Sequence, residues 1–315
     1  MINHYKLIEL SARRIEPHIK KTPLIFDSEA NIYLKCENHQ VTGSFKVRGA
    51  LNKVLTLSPD ELDRGLVTAS AGNHGLGVAL SSNLVGTSAT IFCSENAVQT
   101  KVQAIKAMGA NIKFVKGGYA QAEIAAKKYA LESHACWISP YNDQLVIAGQ
   151  ATLAMEIMDE LSEQADATWC VPVGGGGLIS GIGCFLQSVG SQVRLIGVQS
   201  QASPFFHSIF YHGTQNGITE KPSLADGLSG RVDPESITIQ WIKRTVDDII
   251  LVSEDEIRDA IRYAWTKYNQ IIEGSAAVAL AAVMTNRVTS RPVVVILSGG
   301  NVQPEIHVRI VGMSS

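Results

Sequence analysis

The sequence predicts an α/β protein of two domains, each built on a parallel sheet that helices cover. Its 315 residues fit two domains at roughly 150 residues each. Apolar residues make up 45% of the chain and charged residues 18%, which supplies two cores and argues against disorder. Short apolar runs alternate with helical patterns, and this alternation is typical of parallel strands joined by crossover helices.

Six short apolar runs, each bounded by turn residues, predict buried strands. They span residues 66–68, 89–92, 112–115, 168–173, 193–198 and 293–297. Helices are expected after the first three runs, beginning near His74, Val98 and Tyr119. Val102 and Ile105 follow Val98 at i, i+4 and i+7 spacing, which places all three on one helical face.

Local signals define further elements. Residues 58–61 (SPDE) and 253–256 (SEDE) match capping boxes, in which a serine and a glutamate satisfy each other's backbone N–H groups. An amphipathic helix is expected to end near Pro17, and another helix to span residues 274–284. Residues 213–234 are rich in Gly, Pro and polar side chains, and either a lid or an inert loop fits them.

Charge and composition exclude several classes of protein. The 27 basic and 29 acidic residues give a net charge of −2 without a basic block, so nucleic acid is not an expected partner. No apolar run approaches the roughly 18 residues of a membrane-spanning helix, and no signal-peptide pattern opens the chain, so no membrane partner is expected. The five cysteines lack C-x-x-C spacing, which favours reduced thiols in the cytoplasm over disulfides or a zinc site.

The first segment with chemistry is TGSFKVRGA, Thr42 to Ala50, a glycine-containing turn that carries a lysine into a helix. A lysine whose amine is neutral can form a Schiff base with an aldehyde cofactor. The ordinary lysine pKa is about 10.4, and burial together with cationic neighbours such as Arg48 is expected to lower the pKa of Lys46. A solvated lysine near a helix start fits the same residues.

The second segment is SAGNHG, Ser70 to Gly75, between a predicted strand and a predicted helix. Backbone N–H groups at a helix start bind anions, and small residues let a carboxylate approach them closely. An ordinary turn with Asn73 as a local cap also fits. His74 is a candidate acid or base, but a structural histidine is the more common case.

The third segment is a run of four glycines, Gly174 to Gly177, before Leu178. A strand, a glycine loop and a helix make a nest of N–H donors for a phosphate. The dinucleotide pattern G-x-G-x-x-G fails because its last position falls on Ile179 or Ser180, and no G-x-x-x-x-G-K-[ST] occurs. The loop therefore suits a single phosphate, with a purely structural glycine run as the alternative.

Two further segments follow these three along the chain, residues 273–277 (EGSAA) and residues 298–301 (SGGN). Together the five resemble the fold type II pyridoxal-phosphate enzymes, in the branch of serine/threonine dehydratases (threonine ammonia-lyases) and serine racemases. The resemblance extends from Lys21 to Asn301. It implies an α/β fold of two open, twisted parallel-sheet domains with helices on both faces, like the β subunit of tryptophan synthase.

The resemblance implies a role for each matching residue. Lys46 would bind pyridoxal 5'-phosphate covalently, Phe45 would pack on its ring, and Asn73 would hydrogen-bond the ring hydroxyl. Ser298 would meet the pyridine nitrogen. The phosphate would be held by Gly174, Gly175, Gly176, Gly177 and Leu178, and the substrate carboxylate by Ser70, Ala71, Gly72, Asn73 and His74. For Glu273, a position near the ring and stabilisation of the following helix are both open.

The implied reaction is the deamination of a β-hydroxy amino acid, such as threonine or serine, to a 2-oxo acid and ammonia. Lys46 would remove the Cα proton while the conjugated ring accepts the electrons. A neutral Ser298 at the ring nitrogen makes the ring a weaker electron sink, which favours β-elimination over transamination. Ala71 stands where related racemases carry a serine. The alternatives are a racemase or β-replacement enzyme of the same fold, and a non-catalytic amino-acid-binding protein.

The chain departs from its relatives at the place where some of those enzymes bind a divalent metal. Related racemases and metal-stimulated dehydratases carry two acidic residues where this chain has Gln199 and Phe205, so no divalent metal is expected there. The sequence does not decide whether a monovalent ion binds there. The chain ends soon after Asn301, so the regulatory domain of biosynthetic threonine dehydratases, and with it isoleucine feedback, is not expected.

The expected domains meet over a cofactor cleft. The small α/β domain would span residues 48–146, and the large cofactor-binding domain residues 1–47 plus 147–315. Clefts between domains are common ligand sites. The family resemblance further implies a homodimer. The sequence does not decide among serine, threonine, a 3-hydroxyaspartate, a phenylserine or a more specialised hydroxy amino acid as substrate.

Overall fold

A computed structural model of the chain describes residues 3–161 and 167–312. Its helices are α1 His4–Ile15, α2 Lys46–Val54, α3 Pro59–Asp63, α4 Asn73–Val85, α5 Gln99–Ala107, α6 Tyr119–Ser133, α7 Gln144–Leu161, α8 Gly177–Ser188, α9 Phe205–His212, α10 Ile237–Thr245, α11 Glu254–Tyr268, α12 Gly274–Met284 and α13 Pro304–Val311. Its strands are β1 Leu24–Asp27, β2 Ile32–Cys36, β3 Leu66–Ala69, β4 Ala89–Ser94, β5 Asn111–Val115, β6 Cys136–Trp137, β7 Thr168–Pro172, β8 Arg194–Ser200, β9 Asp248–Val252 and β10 Val293–Leu297.

The strands form two sheets. The larger sheet has the order β1-β2-β10-β7-β8-β9, and the smaller sheet has the order β5-β4-β3-β6. Neighbouring strands are parallel except β1 and β2, which form an antiparallel pair at the edge of the larger sheet. The α/β class with two parallel sheets is confirmed. The boundary of the small domain at residues 48–146 stays a prediction.

The elements that the apolar runs predict are present, with ends that differ by at most two residues. Both capping boxes form, at Ser58 and at Ser253. Helix α1 ends at Ile15, followed by a 3-10 turn that contains Pro17. Residues 213–234 form a loop with one short 3-10 turn, Asp226–Leu228. The sequence reasoning missed β1, β2, β6 and β9.

Two buried helices aim their N-termini at the same region of the molecule. Helix α12 is buried on all sides from Gly274 to Val283, and its alanine-rich sequence lets strands β7, β8 and β10 approach closely. Helix α8 is buried from Gly177 to Leu186 and packs against α7 and α10. Helix α8 follows the loop at the carboxyl end of β7. The residue before α12, Glu273, is hydrogen-bonded to the loop at the carboxyl end of β10. Ligands bind at such strand ends in α/β proteins.

A buried ionic network, unforeseen in the sequence, fixes helix α2 within the fold. Arg48 donates to both carboxylate oxygens of Glu37, at 2.8 and 2.7 Å, and to Glu156 at 2.6 Å. Lys35 Nζ lies 2.9 Å from a second oxygen of Glu156. The Arg48, Lys35 and Glu37 side chains are fully buried, so their charges depend on one another. Helix α2 begins at Lys46, so this network also positions that lysine.

Candidate active site

One cavity of about 430 Å³ lies at the carboxyl ends of strands from both sheets. All the residues that the sequence predicts for the site line its wall: Phe45, Lys46, Ser70, Ala71, Gly72, Asn73, His74, Gly174, Gly175, Gly176, Gly177, Leu178, Glu273 and Ser298. They come from the loops after β3, β7 and β10, from the first residues of α2, α4 and α8, and from the residue that precedes α12. The fold thus brings together segments that lie more than 200 residues apart.

Lys46 is the first residue of α2, and its amine faces this cavity. Lys46 Nζ donates to the carbonyl oxygen of Pro140 at 3.0 Å and lies 5.3 Å from the centre of the Phe45 ring. Enclosure by protein disfavours the charged amine and lowers the pKa of Lys46 to about 8, against the opposing pull of the Glu273 carboxylate. The amine is therefore closer to its nucleophilic form than an exposed lysine is.

The expectation that Arg48 lowers the pKa of Lys46 is wrong. Burial is the cause of the lowered pKa, and the neighbouring charge that acts on Lys46 is that of Glu273. The Arg48 guanidinium is instead engaged by the carboxylates of Glu37 and Glu156. Residues two positions apart in an α-helix point to nearly opposite sides of its axis, so Arg48 points into the buried network while Lys46 points into the cavity.

The turn between β3 and α4 forms a second wall of the cavity. Ser70 Oγ accepts the N–H of Gly72 at 3.2 Å, which folds the chain back before the helix. A side chain at Gly75 would lie 2.5 Å from the carbonyl oxygen of Ser70, so only glycine permits this close approach. The first N–H groups of an α-helix have no partner within the helix, and Asn73 and His74, which open α4, line the cavity. This wall suits a carboxylate.

The His74 side chain has a structural environment. Its ring is buried, and Nε2 lies 3.0 Å from the carbonyl oxygen of Ile138, which can only accept a hydrogen bond. Burial, together with the positive charge of Lys46, lowers the pKa of His74 to about 3. The ring is therefore neutral at physiological pH and carries its proton on Nε2. Of the two roles considered for His74, the structural one fits these contacts.

The glycine loop after β7 brings backbone N–H groups to the cavity at the start of α8. Gly176 has a φ of +85°, a conformation that L-residues with side chains rarely adopt. A side chain at Gly175 would overlap the ring of Tyr141, and one at Gly177 would lie 3.0 Å from Cβ of Tyr141. The side chain of Thr238 donates to the carbonyl oxygen of Gly175 at 2.9 Å. These contacts fix the loop in a compact conformation, and N–H groups at a helix start of this kind suit a phosphate group.

The loop after β10 joins several of these segments. The backbone N–H of Phe45 donates to the carbonyl oxygen of Ser298 at 3.1 Å, next to a β-bridge between Ser44 and Gly299. The side chain of Asn73 donates to Glu273 Oε1 at 2.6 Å. Asn301 donates to Asn73 Oδ1 at 2.7 Å. The lysine segment, the α4 turn and the start of α12 are therefore held by one connected set of hydrogen bonds.

Glu273 is the residue before α12, and its carboxyl group turns toward Asn73 and the cavity. Burial and the negative charge of Asp226 raise the pKa of Glu273 to about 7, although Lys101, Asn73 and Lys46 act in the opposite direction. This placement favours a position near the cofactor ring over a role confined to the helix dipole. A carboxyl group that titrates near pH 7 beside an amine that titrates near pH 8 is typical of an active site.

Sequence reasoning missed several residues of the cavity wall. Pro140 and Tyr141 follow β6, too short to be recognised from an apolar run, and burial raises the pKa of Tyr141 to about 12. Lys101 Nζ lies 2.8 Å from Asp226 Oδ2, and this pair links α5 to the 213–234 loop. No spacing or motif in the sequence pointed to Lys101.

The side chains of Gln199 and Phe205, where the sequence predicts no divalent metal, make contacts within the protein. Gln199 Oε1 accepts the backbone N–H of His207 at 2.7 Å, within the first turn of α9, and Phe205 is buried in the core. Residues 3–161 and 167–312 contain no group of three or more His, Cys, Asp or Glu side chains that could hold a metal ion. Within the same described ranges, no helix is long and apolar enough to cross a membrane.

The groups around the cavity fit pyridoxal phosphate. Lys46 offers an amine of lowered pKa for the aldehyde carbon, and the N-terminus of α8 offers N–H groups for the phosphate. Phe45 provides an aromatic face and Asn73 an amide between these two ends. The donor set therefore matches an aldehyde, an aromatic ring and a phosphate in one molecule.

Comparison with known proteins agrees with this fit. A family model described as "Pyridoxal-phosphate dependent enzyme" matches residues 15–299. The chain is 37% identical over 311 residues to a Thermotoga maritima protein named L-threonine ammonia-lyase, in a match that covers 96% of this chain and 77% of that protein.

Two solved structures share the fold over almost the whole chain. A serine racemase from Dictyostelium discoideum superposes with a TM-score of 0.86 at 34% identity, covering 95% of this chain and 98% of the other. A threonine deaminase isoform 2 from Solanum lycopersicum superposes with a TM-score of 0.89 at 27% identity, covering 99% and 93%. Because the family model spans most of the chain and the cavity has the groups that its cofactor needs, the protein belongs to the pyridoxal-phosphate-dependent enzymes.

Proposed function

We propose that the protein is an ammonia-lyase that converts a β-hydroxy amino acid, threonine-like or serine-like, into a 2-oxo acid and ammonia. The observation that carries this proposal is the enclosed amine of Lys46, whose pKa burial lowers, in a cavity bordered by the N-termini of α4 and α8. The relative named L-threonine ammonia-lyase and the fold neighbour named threonine deaminase support the same reaction class.

Bound pyridoxal phosphate supplies a conjugated ring that takes up the electron pair left when Cα loses its proton. Lys46 Nζ would remove that proton, since its pKa of about 8 leaves more of the amine neutral near pH 7 than in an exposed lysine. The carbonyl oxygen of Pro140, 3.0 Å from Nζ, accepts a hydrogen bond from the amine and holds the side chain in the cavity.

The remaining site residues are proposed to bind and orient. The α4 turn would hold the substrate carboxylate through the backbone of Ser70, Ala71, Gly72, Asn73 and His74. The glycine loop at the start of α8 would hold the phosphate through Gly174, Gly175, Gly176, Gly177 and Leu178. Phe45 would pack on the ring, Ser298 would meet the ring nitrogen as a neutral group, and Glu273 would lie near the ring.

A racemase is the second candidate, because a serine racemase shares the fold. Racemisation needs a proton donor on the face of Cα opposite Lys46. The corresponding position in the α4 turn is Ala71, which lines the cavity but has no exchangeable side-chain proton. This residue favours elimination over racemisation. The hypothesis of a non-catalytic binding protein would be reconsidered only if the purified protein held no cofactor.

The function is tested by incubating the holoenzyme with a panel of β-hydroxy amino acids and measuring 2-oxo acid and ammonia together. We expect equal amounts of both from at least one L-amino acid. The Lys46→Ala variant, checked for folding by circular dichroism, should lose the visible absorption of lysine-bound cofactor and at least about 10³-fold in rate. Normal 2-oxo acid release by that variant would contradict the assignment of Lys46.

Three further proposals rest on the sequence and the family. We propose a small domain at residues 48–146, a cytoplasmic location and a homodimer. Support for the location comes from the five cysteines, all of which are unpaired and four of which are buried. Limited proteolysis tests the domain boundary, and sedimentation of the holoenzyme tests the dimer. A monomer at micromolar concentration would contradict the dimer.

A further inference from the structure

We infer that Asn301 is a positioning residue that sets which way the Asn73 amide faces, and so presents an N–H donor to the cofactor ring. The Asn301 side chain makes two hydrogen bonds through the same nitrogen. Asn301 Nδ2 donates to the carbonyl oxygen of Thr42 at 2.8 Å and to Asn73 Oδ1 at 2.7 Å. The inference rests on the proposed cofactor contact of Asn73 but not on the identity of the substrate.

The backbone carbonyl of Thr42 fixes the orientation of the Asn301 and Asn73 amides, because it lies at one end of the series of hydrogen bonds that joins them. A side-chain amide has an acceptor oxygen and a donor nitrogen, and the carbonyl oxygen of Thr42 can only accept. The nitrogen of Asn301 must therefore face Thr42. Its other N–H then reaches Asn73, whose oxygen must accept it. A flipped amide at either residue would bring two acceptors together.

The amide nitrogen of Asn73 consequently faces the opposite side, toward the cavity. It donates to Glu273 Oε1 at 2.6 Å, and one N–H of the same group stays available for a ligand. An N–H donor next to an oxygen on the cofactor ring stabilises the negative form of that oxygen. With the amide reversed, Asn73 would present its own oxygen to both the Glu273 carboxylate and the ring oxygen, and both contacts would be unfavourable.

The fold makes room for Asn301 at this point. Gly43 has a φ of +70°, and a side chain there would overlap the Asn301 amide. The backbone N–H of Gly300 donates to the carbonyl oxygen of Gly43 at 2.9 Å, which holds the two loops in register directly before Lys46. Glycine at position 43 is therefore required both by its own backbone conformation and by the amide that packs over it.

The test compares the purified holoenzymes of Asn301→Asp, Asn301→Ala and Asn38→Ala with the unaltered protein, all without amino-acid substrate. Asn38 is a matched control because it packs close to Gly300, where an added Cβ would lie 2.9 Å from Asn38 Cβ, and because its side chain donates to Gln270 Oε1 at 2.9 Å, outside the Asn73 network. The readouts are the ratio of the visible to the near-ultraviolet cofactor bands, the cofactor dissociation constant and the thermal midpoint. The band ratio reports the proton near the ring oxygen, which general loosening of the loop does not move.

Asn301→Asp replaces the donor with an acceptor, so Asn73 should reverse toward it. We expect a changed band ratio and cofactor binding weaker by about tenfold or more. Asn301→Ala should change the ratio in the same direction to a smaller extent, and it decides the matter if the aspartate variant binds too little cofactor for a spectrum. Asn38→Ala should keep the original ratio even if its thermal midpoint falls.

Two results would overturn the inference: an unaltered band ratio in Asn301→Ala, or an equal change in Asn38→Ala. Because no substrate is present, either result leaves the proposed deamination standing. Conversely, a holoenzyme that shows the expected band changes but deaminates none of the hydroxy amino acids would contradict the proposed function and leave the role of Asn301 intact.

Discussion

Lys101 and Asp226 form an ion pair, with Nζ 2.8 Å from Oδ2, on the wall of the cavity that holds Glu273. The two charges act on Glu273 in opposite directions. The Asp226 carboxylate raises the pKa of Glu273 by repulsion between like charges, and the Lys101 ammonium lowers it. Since burial and these surrounding charges together place the pKa of Glu273 at about 7, removal of either partner is expected to move its titration within the physiological range.

The first prediction uses this opposition. Asp226→Asn removes the repulsion and should lower the pKa of Glu273, whereas Lys101→Met removes the attraction and should raise it. The measurement is a pH titration of apoprotein labelled with [¹³C]glutamate at the side-chain carboxyl carbon, followed by NMR. Glu273→Gln identifies the signal by its disappearance. Shifts of the same sign in both variants would contradict the opposed action of the two charges.

The second prediction concerns the glycine loop at the start of α8. Gly175→Asp should weaken cofactor binding because a carboxylate would repel the phosphate, but a Cβ at this position would also overlap the ring of Tyr141. Gly175→Ala is the matched control, since it introduces the overlap without the charge. We expect the aspartate variant to bind cofactor about tenfold more weakly than the alanine variant, with a difference that shrinks at high salt.

Titration of the apoproteins with pyridoxal phosphate, followed by absorbance, measures both constants. Thermal midpoints of the apoproteins show whether either substitution disturbs the fold. Equal affinities of the alanine and aspartate variants would mean that the phosphate does not lie against Gly175.

The third prediction concerns the buried network next to Lys46. Glu37→Gln keeps the shape of the side chain but leaves part of the Arg48 charge without its partner. Breaking a buried pair in this way costs about 3–5 kcal/mol of unfolding free energy. The control is Glu132→Gln, which breaks an exposed pair with Lys128 at 3.7 Å and should cost less than about 1 kcal/mol.

Denaturation of the apoproteins in urea gives both free energies. A loss in Glu37→Gln no larger than in Glu132→Gln would show that the network does not support helix α2. The comparison is informative because the two variants make the same chemical change, one in the interior and one at the surface.

The sequence predicts most of the elements and loops that carry the site, with β6 and the loop after it as the exception, but not all the contacts between them. Ser70 to His74 and Gly174 to Leu178 were recognisable because strand, small residues and helix follow one another within a few positions. The network of Arg48 with Glu37 and Glu156 was not, because its members lie on separate elements and no spacing rule links them. For the same reason, closeness in sequence wrongly predicts that Arg48 is a charged neighbour of the Lys46 amine.

The last prediction concerns Ala71, a member of the α4 turn that lines the cavity. Its methyl group carries no exchangeable proton, so reprotonation of Cα on the face opposite Lys46 has no side-chain donor at this position. We expect L-serine, if it is accepted, to yield pyruvate with little D-serine, as measured by coupled assays for pyruvate and with D-amino-acid oxidase. D-serine that forms as fast as pyruvate would contradict this role of Ala71. The variant Ala71→Ser should gain racemisation provided that its hydroxyl reaches Cα. Ala71→Val is its control, since it adds bulk without a proton donor, and a gain in both variants would point to an altered turn in place of a new donor.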